Sequence, residues 1–259
     1  MQDADSGTVL FERHPDRVLR TASIGKLLLL IHTAGLVSDG RLDLAEPLTR
    51  TAPAWVTDSG VWQHLATDTL PVGDLCELVG MASDNLATNV LIARVGLDAV
   101  AATAARLGLR DTALHDRVRD VRTPADPPTL STGSAAELVD LMMRLHREAG
   151  AGEEVGNRVL GWLGKGMDLS QVASGWNLDP LAHQDAGQEL RLVNKTGTDV
   201  GVRAEIGVLT GPAATIAYAV LANWDGEPAP DRRDIVLARQ RRLGLRIAAV
   251  CRGELWTDS

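Results

Sequence analysis

Apolar positions follow two rhythms along this chain. From Ile24 to Leu36 they fall on nearly every side of a helical repeat, which predicts a largely buried helix. Three later runs, Leu190–Val193, Arg203–Leu209 and Thr215–Leu221, have the length and β-branched content of strands and follow one another closely. Thr8–Arg13 predicts one more strand near the start. Between these lie helical patterns from Pro71 to about Met81, from Asn85 to Val95 and from Leu97 to Leu107. Pro71 suits a first helical turn, and Gly96 and Gly108 suit the ends of the other two. Ser134-x-x-Glu137 is a capping box that opens a helix ending at Gly150. A short helix around Val155–Leu163 and a closing helix from Asp231 to about Val250 complete the pattern. Three stretches read as loops: Pro47–Thr69, then Arg110–Thr132 with Pro124, Pro127 and Pro128, then the polar excursion Asn177–Glu189.

One strand, many helices, three antiparallel strands and a last helix predict an α/β fold. An antiparallel sheet flanked by helices would carry an inserted all-helical subdomain. Residues 1–22 and 185–259 would form the α/β part and residues 23–184 the helical part, with a site at their interface. The length of 259 residues and the 45% hydrophobic content suit one compact catalytic unit with a sizeable core. A net charge of −8 argues against nucleic acid and anionic membranes as partners. No apolar run approaches the length of a membrane-spanning helix. The first residues have neither a basic start nor an apolar stretch, so no secretory leader is evident. The chain as given is expected to be cytoplasmic, or exported if an upstream segment has been removed. Cys76 and Cys251 are too few for a disulfide framework and are expected as buried free thiols.

Lysine changes the picture. The chain has only three, at 26, 165 and 195, and carries its other basic charge on arginine. Two of the three stand in short motifs: Ser23-Ile24-Gly25-Lys26 and Lys195-Thr196-Gly197. A third motif, Ser83-Asp84-Asn85, lies between them. All three in this order would arise by chance in on the order of one in ten thousand such chains. Lysine can be tuned toward neutrality by burial, and arginine cannot. Ser23 and Lys26, three positions apart at a helix start, share one face and the positive end of the helix dipole. A neutral Lys26 could take the Ser23 proton as the hydroxyl attacks a carbonyl. Burial and a nearby Lys195 would lower the Lys26 pKa.

With these three motifs the chain resembles the class A β-lactamase-like serine hydrolases of the β-lactamase and penicillin-binding protein superfamily. The resemblance runs from about residue 6 to the last helix and implies the same architecture. It implies an acyl-enzyme on Ser23, with Lys26, Ser83 and Lys195 catalytic and Ser83 relaying a proton to the leaving nitrogen. Asn85 would hold the substrate's side-chain amide, and Asp84 would brace its loop. Thr196, Gly197, Thr198 and Arg203 would bind substrate, the Thr198 and Ser23 N–H groups forming the oxyanion hole. Gly197 would let substrate approach the strand edge. The expected partner is a small-molecule β-lactam or related acyl substrate, with no cofactor or metal, on a monomer or weak dimer.

Two departures stand out. Family members carry Asp-Arg-x-Glu where this chain reads Asp116-Arg117-Val118-Arg119, and no glutamate occurs from Arg110 to Leu130. Arg119 therefore replaces the deacylating base and is expected to point outward. Asp120 is the candidate substitute, and Arg117 and Asp126 would pair to close the loop. Deacylation is then expected to be slow, with Arg119→Glu speeding turnover if the loop geometry is otherwise that of the family. An acyl-enzyme former of penicillin-binding type, a peptidase or esterase, or a non-hydrolytic binder is the alternative. The second departure is that relatives place a helix and strand ahead of the segment matching residues 6–22. A gap beside Thr215–Leu221, or a partner chain covering it, is expected.

Overall fold

The computed structural model describes residues 1–185, 187–225 and 230–254. Its main sheet has four antiparallel strands in the order β1-β9-β8-β7. These are β1 (Gln2–Asp3), β7 (Arg191–Asp199), β8 (Val202–Thr210) and β9 (Thr215–Asn223). Side chains alternate across β8 as a pleated strand requires. Ala204, Ile206 and Val208 enter one core with α1 (Lys26–Ser38) and the helices around it. Leu209 enters a second core on the other face, with Ile216 and Tyr218 of β9 and Ile247, Ala248 and Cys251 of α7 (Pro230–Arg252). The sheet is thus covered on one face by α7 and on the other by α5 (Ala135–Gly150).

The helical stretch comprises α1, α2 (Val72–Ala82), α3 (Asn85–Val95), α4 (Leu97–Arg106), α5 and α6 (Glu154–Leu163). Helix α1 is the axis of the molecule: every residue from Lys26 to Ala34 is buried. That follows from its apolar character on all sides. Strand β2 (Leu19–Arg20), β5 (Ala113–Leu114) and β6 (Ser131–Gly133) make a small sheet in the order β2-β6-β5. β3 (Pro47–Thr49) and β4 (Thr69–Pro71) pair with each other. Among the described residues no single helix is long and apolar enough to cross a membrane. Both cysteines are free and buried.

Several expectations need correction. Thr8–Arg13 is not a strand. Residues 2 and 3 take the edge of β9, pairing Gln2 with Ala217 and Asp3 with Ile216. The chain then turns back, and only Val9 bridges Gln2. The Arg110–Thr132 loop contributes β5 and β6, because its apolar Leu114 and Leu130 are drawn into the main core. The Ser134 hydroxyl caps α5 through the Glu137 N–H, but the Glu137 carboxylate does not return to Ser134. It accepts instead from the N–H groups of Arg110 and Thr112 at 2.7 and 2.8 Å, which ties the loop to the helix start. The excursion between residues 177 and 189 is partly folded in, with His183 buried and bonded to the Gly166 carbonyl at 2.9 Å. Ala186 of that stretch lies outside the described residues.

The outer edge of β9 is incomplete. Strand pairing covers it only as far as Ala217. Beyond that lies a cavity of about 430 Å³ between β9 and the segment from Val9 to Leu19.

Candidate active site

Ser23 stands in a 3-10 turn, Ala22–Gly25, that leads into α1. The residue before it, Ala22, has φ of 48°, a left-handed conformation that L residues seldom adopt. Neighbours hold the turn in place. The Ser131 hydroxyl donates to the Ala22 carbonyl at 2.5 Å and lies 2.7 Å from the Thr21 hydroxyl. Gly25 packs so closely on Ser131 that a Cβ there would sit 2.4 Å from the Ser131 Cβ. On the other side β7 presses against the same turn. A Cβ on Gly197 would sit 2.1 Å from the Thr21 carbonyl oxygen. The close approach that Gly197 permits is therefore to the chain's own backbone.

The three motifs converge. Lys26 Nζ donates to the Ser83 carbonyl at 2.6 Å, the Ser83 Oγ at 3.2 Å and Asn85 Oδ1 at 2.6 Å. Lys195 Nζ donates to the same Ser83 Oγ at 2.9 Å and to the Thr196 carbonyl at 3.0 Å. One hydroxyl thus lies between two buried amines. Ser83 can hold that place because it adopts φ of 55° at the end of α2, which turns its side chain back toward α1. Asp84 braces the loop: its carboxylate accepts from the N–H groups of Val61, Trp62 and Ala87.

Burial pushes the Lys26 pKa well below the usual lysine range, and the Lys195 charge adds to the effect, against Asp84 and Asp58. Burial also lowers Lys195, to about 8, while Asp168 opposes the shift. The two amines therefore differ in how readily they hold a proton. Lys26 can stand neutral as a base, and Lys195 can keep its charge below about pH 8.

The loop that follows α4 places no carboxylate in this cluster. Arg119 is held by Asp116 at 2.7 Å and Asp126 at 3.0 Å, and Arg122 also pairs with Asp116 at 2.7 Å. Burial alone would raise the Asp116 carboxyl, but the Arg119 and Arg122 hydrogen bonds and the Arg117 N–H hold it below its ordinary value. The expected Arg117–Asp126 pair does not form. Arg117 instead donates to the Pro53 carbonyl at 2.5 Å, and Arg119 takes Asp126. Asp120 is exposed and accepts from the Thr57 N–H at 3.0 Å and the Thr57 hydroxyl at 3.1 Å. It ties the two loops that carry Thr57 and Asp120 together. Arg203, opposite Thr198 on β8, turns its guanidinium onto the carbonyls of Asp199 and Val202, at 3.0 and 2.7 Å.

Sequence reasoning missed four contributors. Asp58 lies 3.4 Å from Asn85 Nδ2. Asn89 holds the loop by accepting from the Val118 N–H at 2.8 Å and donating to the Val118 carbonyl at 3.0 Å. Asp168 lines the cleft beside Ser83, Lys195 and Thr196. Glu205 of β8 is fully buried, where it accepts from the Val172 N–H, Asn194 and Tyr218. No spacing rule connects these residues to the motifs; β-strand alternation alone would have flagged Glu205 as a charge on a buried face.

The chain as a whole has counterparts among known proteins. Residues 1–239 match the β-lactamase enzyme family. The chain belongs to that family. A β-lactamase from Sphaerobacter thermophilus DSM 20745 is 28% identical over 93% of this chain and 87% of that one, with a TM-score of 0.77. A variant of the last common ancestor of Gram-negative bacteria class A β-lactamase is 26% identical over 95% of this chain and 90% of its own, with a TM-score of 0.76. The structure of PBP-A, at 21% identity over 95% and 88%, shares the fold with a TM-score of 0.77. A mutant of PBP-A is an acyl-enzyme complex with penicillin G. No protein of curated function matches the chain. Family and class A neighbours together make it a β-lactamase-type hydrolase with the β-lactamase/transpeptidase-like fold.

Proposed function

We propose that this β-lactamase family member opens β-lactams through an acyl-enzyme on Ser23 and releases the acyl group slowly. One observation carries the acylation half: the Ser83 hydroxyl lies between Lys26 and Lys195, at 3.2 and 2.9 Å. In this reading neutral Lys26 takes the Ser23 proton as Oγ bonds to the lactam carbonyl carbon. The N–H groups of Ser23 and Thr198 hold the oxyanion; removing one such donor typically costs about 10²–10³ in rate. The C–N bond then breaks, the leaving nitrogen takes the Ser83 proton, and Ser83 is reprotonated from Lys26. Charged Lys195 holds the substrate carboxylate with Thr196, and Asn85 receives the acyl side-chain amide.

Slow release rests on the loop. Hydrolysis of the ester needs a base that activates water. Asp116 is engaged by Arg119 and Arg122, and Asp120 by Thr57. An enzyme built this way forms the ester faster than it breaks it, which places its behaviour between a β-lactamase and a penicillin-binding protein.

The test is hydrolysis of a chromogenic cephalosporin by wild type and by Ser23→Ala. A burst of one equivalent followed by a low steady rate, both lost in Ser23→Ala, is the expected result. Equal hydrolysis by both proteins would remove Ser23 from the chemistry.

A further inference from the structure

The cleft beside Ser83 and Lys195 encloses about 380 Å³ and has a carboxylate in its wall, Asp168. We propose that Asp168 is a specificity-determining residue that selects substrates whose leaving half carries a cationic group in addition to the carboxylate held by Lys195. The inference rests on the acyl-enzyme reading above. In that reading Ser83 protonates the leaving nitrogen, so the space Ser83 shares with Lys195 receives the ring attached to that nitrogen. The acyl half lies on the other side, toward Asn85.

Asp168 is fixed where it stands. The Met167 N–H bonds to the Met81 carbonyl at 2.9 Å, and Asn194 donates to the Asp168 carbonyl at 3.3 Å. Gly166 packs so closely that a Cβ there would lie 2.6 Å from Asn194 Oδ1. Lys165, at the start of the segment, pairs with Glu77 of α2 at 2.5 Å. The side chain is held as well. Oδ1 accepts from the Ser170 N–H at 3.1 Å and the Ser170 hydroxyl at 2.6 Å, while Oδ2 has no partner among the described residues.

The charge pattern is selective. Lys195 and Asp168 are the charged residues among those lining the cleft, and no ion pair joins them among the described residues. Asp168 is nonetheless close enough to oppose the lowering of both Lys195 and Arg203. A leaving half with one carboxylate meets Lys195 and leaves the Asp168 carboxylate facing it. A leaving half that adds a cation satisfies both, and one that adds a second anion is repelled. A cephem with a pyridiniomethyl substituent has the required chemistry; one with a neutral acetoxymethyl substituent lacks it.

The experiment compares acylation rate constants for these two cephems, bearing the same acyl side chain, in wild type and in Asp168→Asn. Asn keeps an acceptor for Ser170, so the turn is retained. The preference for the cationic cephem should fall about fivefold in Asp168→Asn, the size of a partly exposed ion pair. In wild type, raising the salt concentration should erode the same preference, a measurement that does not depend on the variant folding. An unchanged preference in Asp168→Asn, or one indifferent to salt, would overturn the proposal while leaving the acyl-enzyme reading intact. No acylation by either cephem in wild type would overturn both.

Discussion

Lys195 donates to the Ser83 hydroxyl at 2.9 Å, across a sequence separation of 112 residues. This contact joins β7 to the loop between α2 and α3, the two elements that the proposed mechanism uses to bind substrate and to move the proton. It also divides the lysines by charge, because Lys26 reaches the same oxygen from the other side. Two ammonium ions around one hydroxyl repel each other, so the site favours one neutral amine and one charged one. Lys26, with the deeper lowering, is the one suited to stand neutral.

The acylation rate should therefore fall on the alkaline side near pH 8. Above that pH Lys195 loses the proton that binds the substrate carboxylate. On the acid side the rate should hold well below the ordinary lysine pKa, because Lys26 is lowered and remains neutral there. A pH profile of the second-order labelling constant with a fluorescent penicillin checks both limbs.

Lys26→Arg should slow acylation by orders of magnitude without unfolding the protein. A guanidinium retains its proton at neutral pH and cannot act as the base. Labelling by the same penicillin, with a thermal melt as control, reads the two effects separately. Near-normal labelling would exclude Lys26 as the base.

Ser83→Gly should separate stability from chemistry. The left-handed φ of 55° costs an L residue about 1–2 kcal/mol and costs glycine almost nothing. The variant should melt no lower than wild type, yet lose the hydroxyl proposed to protonate the leaving nitrogen, a step worth about 10²–10⁴ in rate. A lower melting temperature would mean that the two lysine contacts to Ser83 outweigh the backbone relief.

Glu205 should govern the pH dependence of stability. Burial raises its carboxyl to about 7 against the hydrogen bonds it accepts. The folded state then binds more protons than the unfolded state between about pH 4.5 and about 7. By linkage this contribution to stability is present below the unfolded pKa and is lost as pH rises through the folded one. Glu205→Gln should flatten the profile of melting temperature in that window, and an unflattened profile would assign the proton to another group.

Arg119→Glu, suggested by the family pattern, should not restore turnover. Arg119 neutralises Asp116 and Asp126, so a glutamate would place a third carboxylate among them. The expected result is a lower melting temperature and an unchanged slow release, followed by absorbance of a chromogenic cephalosporin. Faster turnover would show that the loop can refold around the new base.

The sequence made much of this legible because its signals are local. Ser23, Lys26, Ser83, Asn85 and Lys195 could be chosen from short spacings, and the helices from their periodicity and their glycine ends. The misreadings share a physical cause. Thr8–Arg13 has strand composition, but residues 2 and 3 claim the edge of β9 first. The partners of Arg117, Arg119 and Asp126 depend on how a proline-rich loop closes, and any of several arginines could pair with either aspartate. Gly197 looked like an opening for substrate, yet it is the turn at Thr21 that fills the space. Asp168 and Glu205 come near the motifs only through tertiary packing, which no spacing records.

The central claim is an ester on Ser23 that forms readily and hydrolyses slowly. Time-resolved intact-protein mass spectrometry after mixing with penicillin tests it most directly. The account predicts that the chain gains the full mass of the penicillin, that the adduct maps to Ser23, and that it persists after free penicillin is removed. An adduct retained in Ser23→Ala would contradict the account. So would an undetectable adduct alongside turnover at about ten per second, the median for enzymes generally.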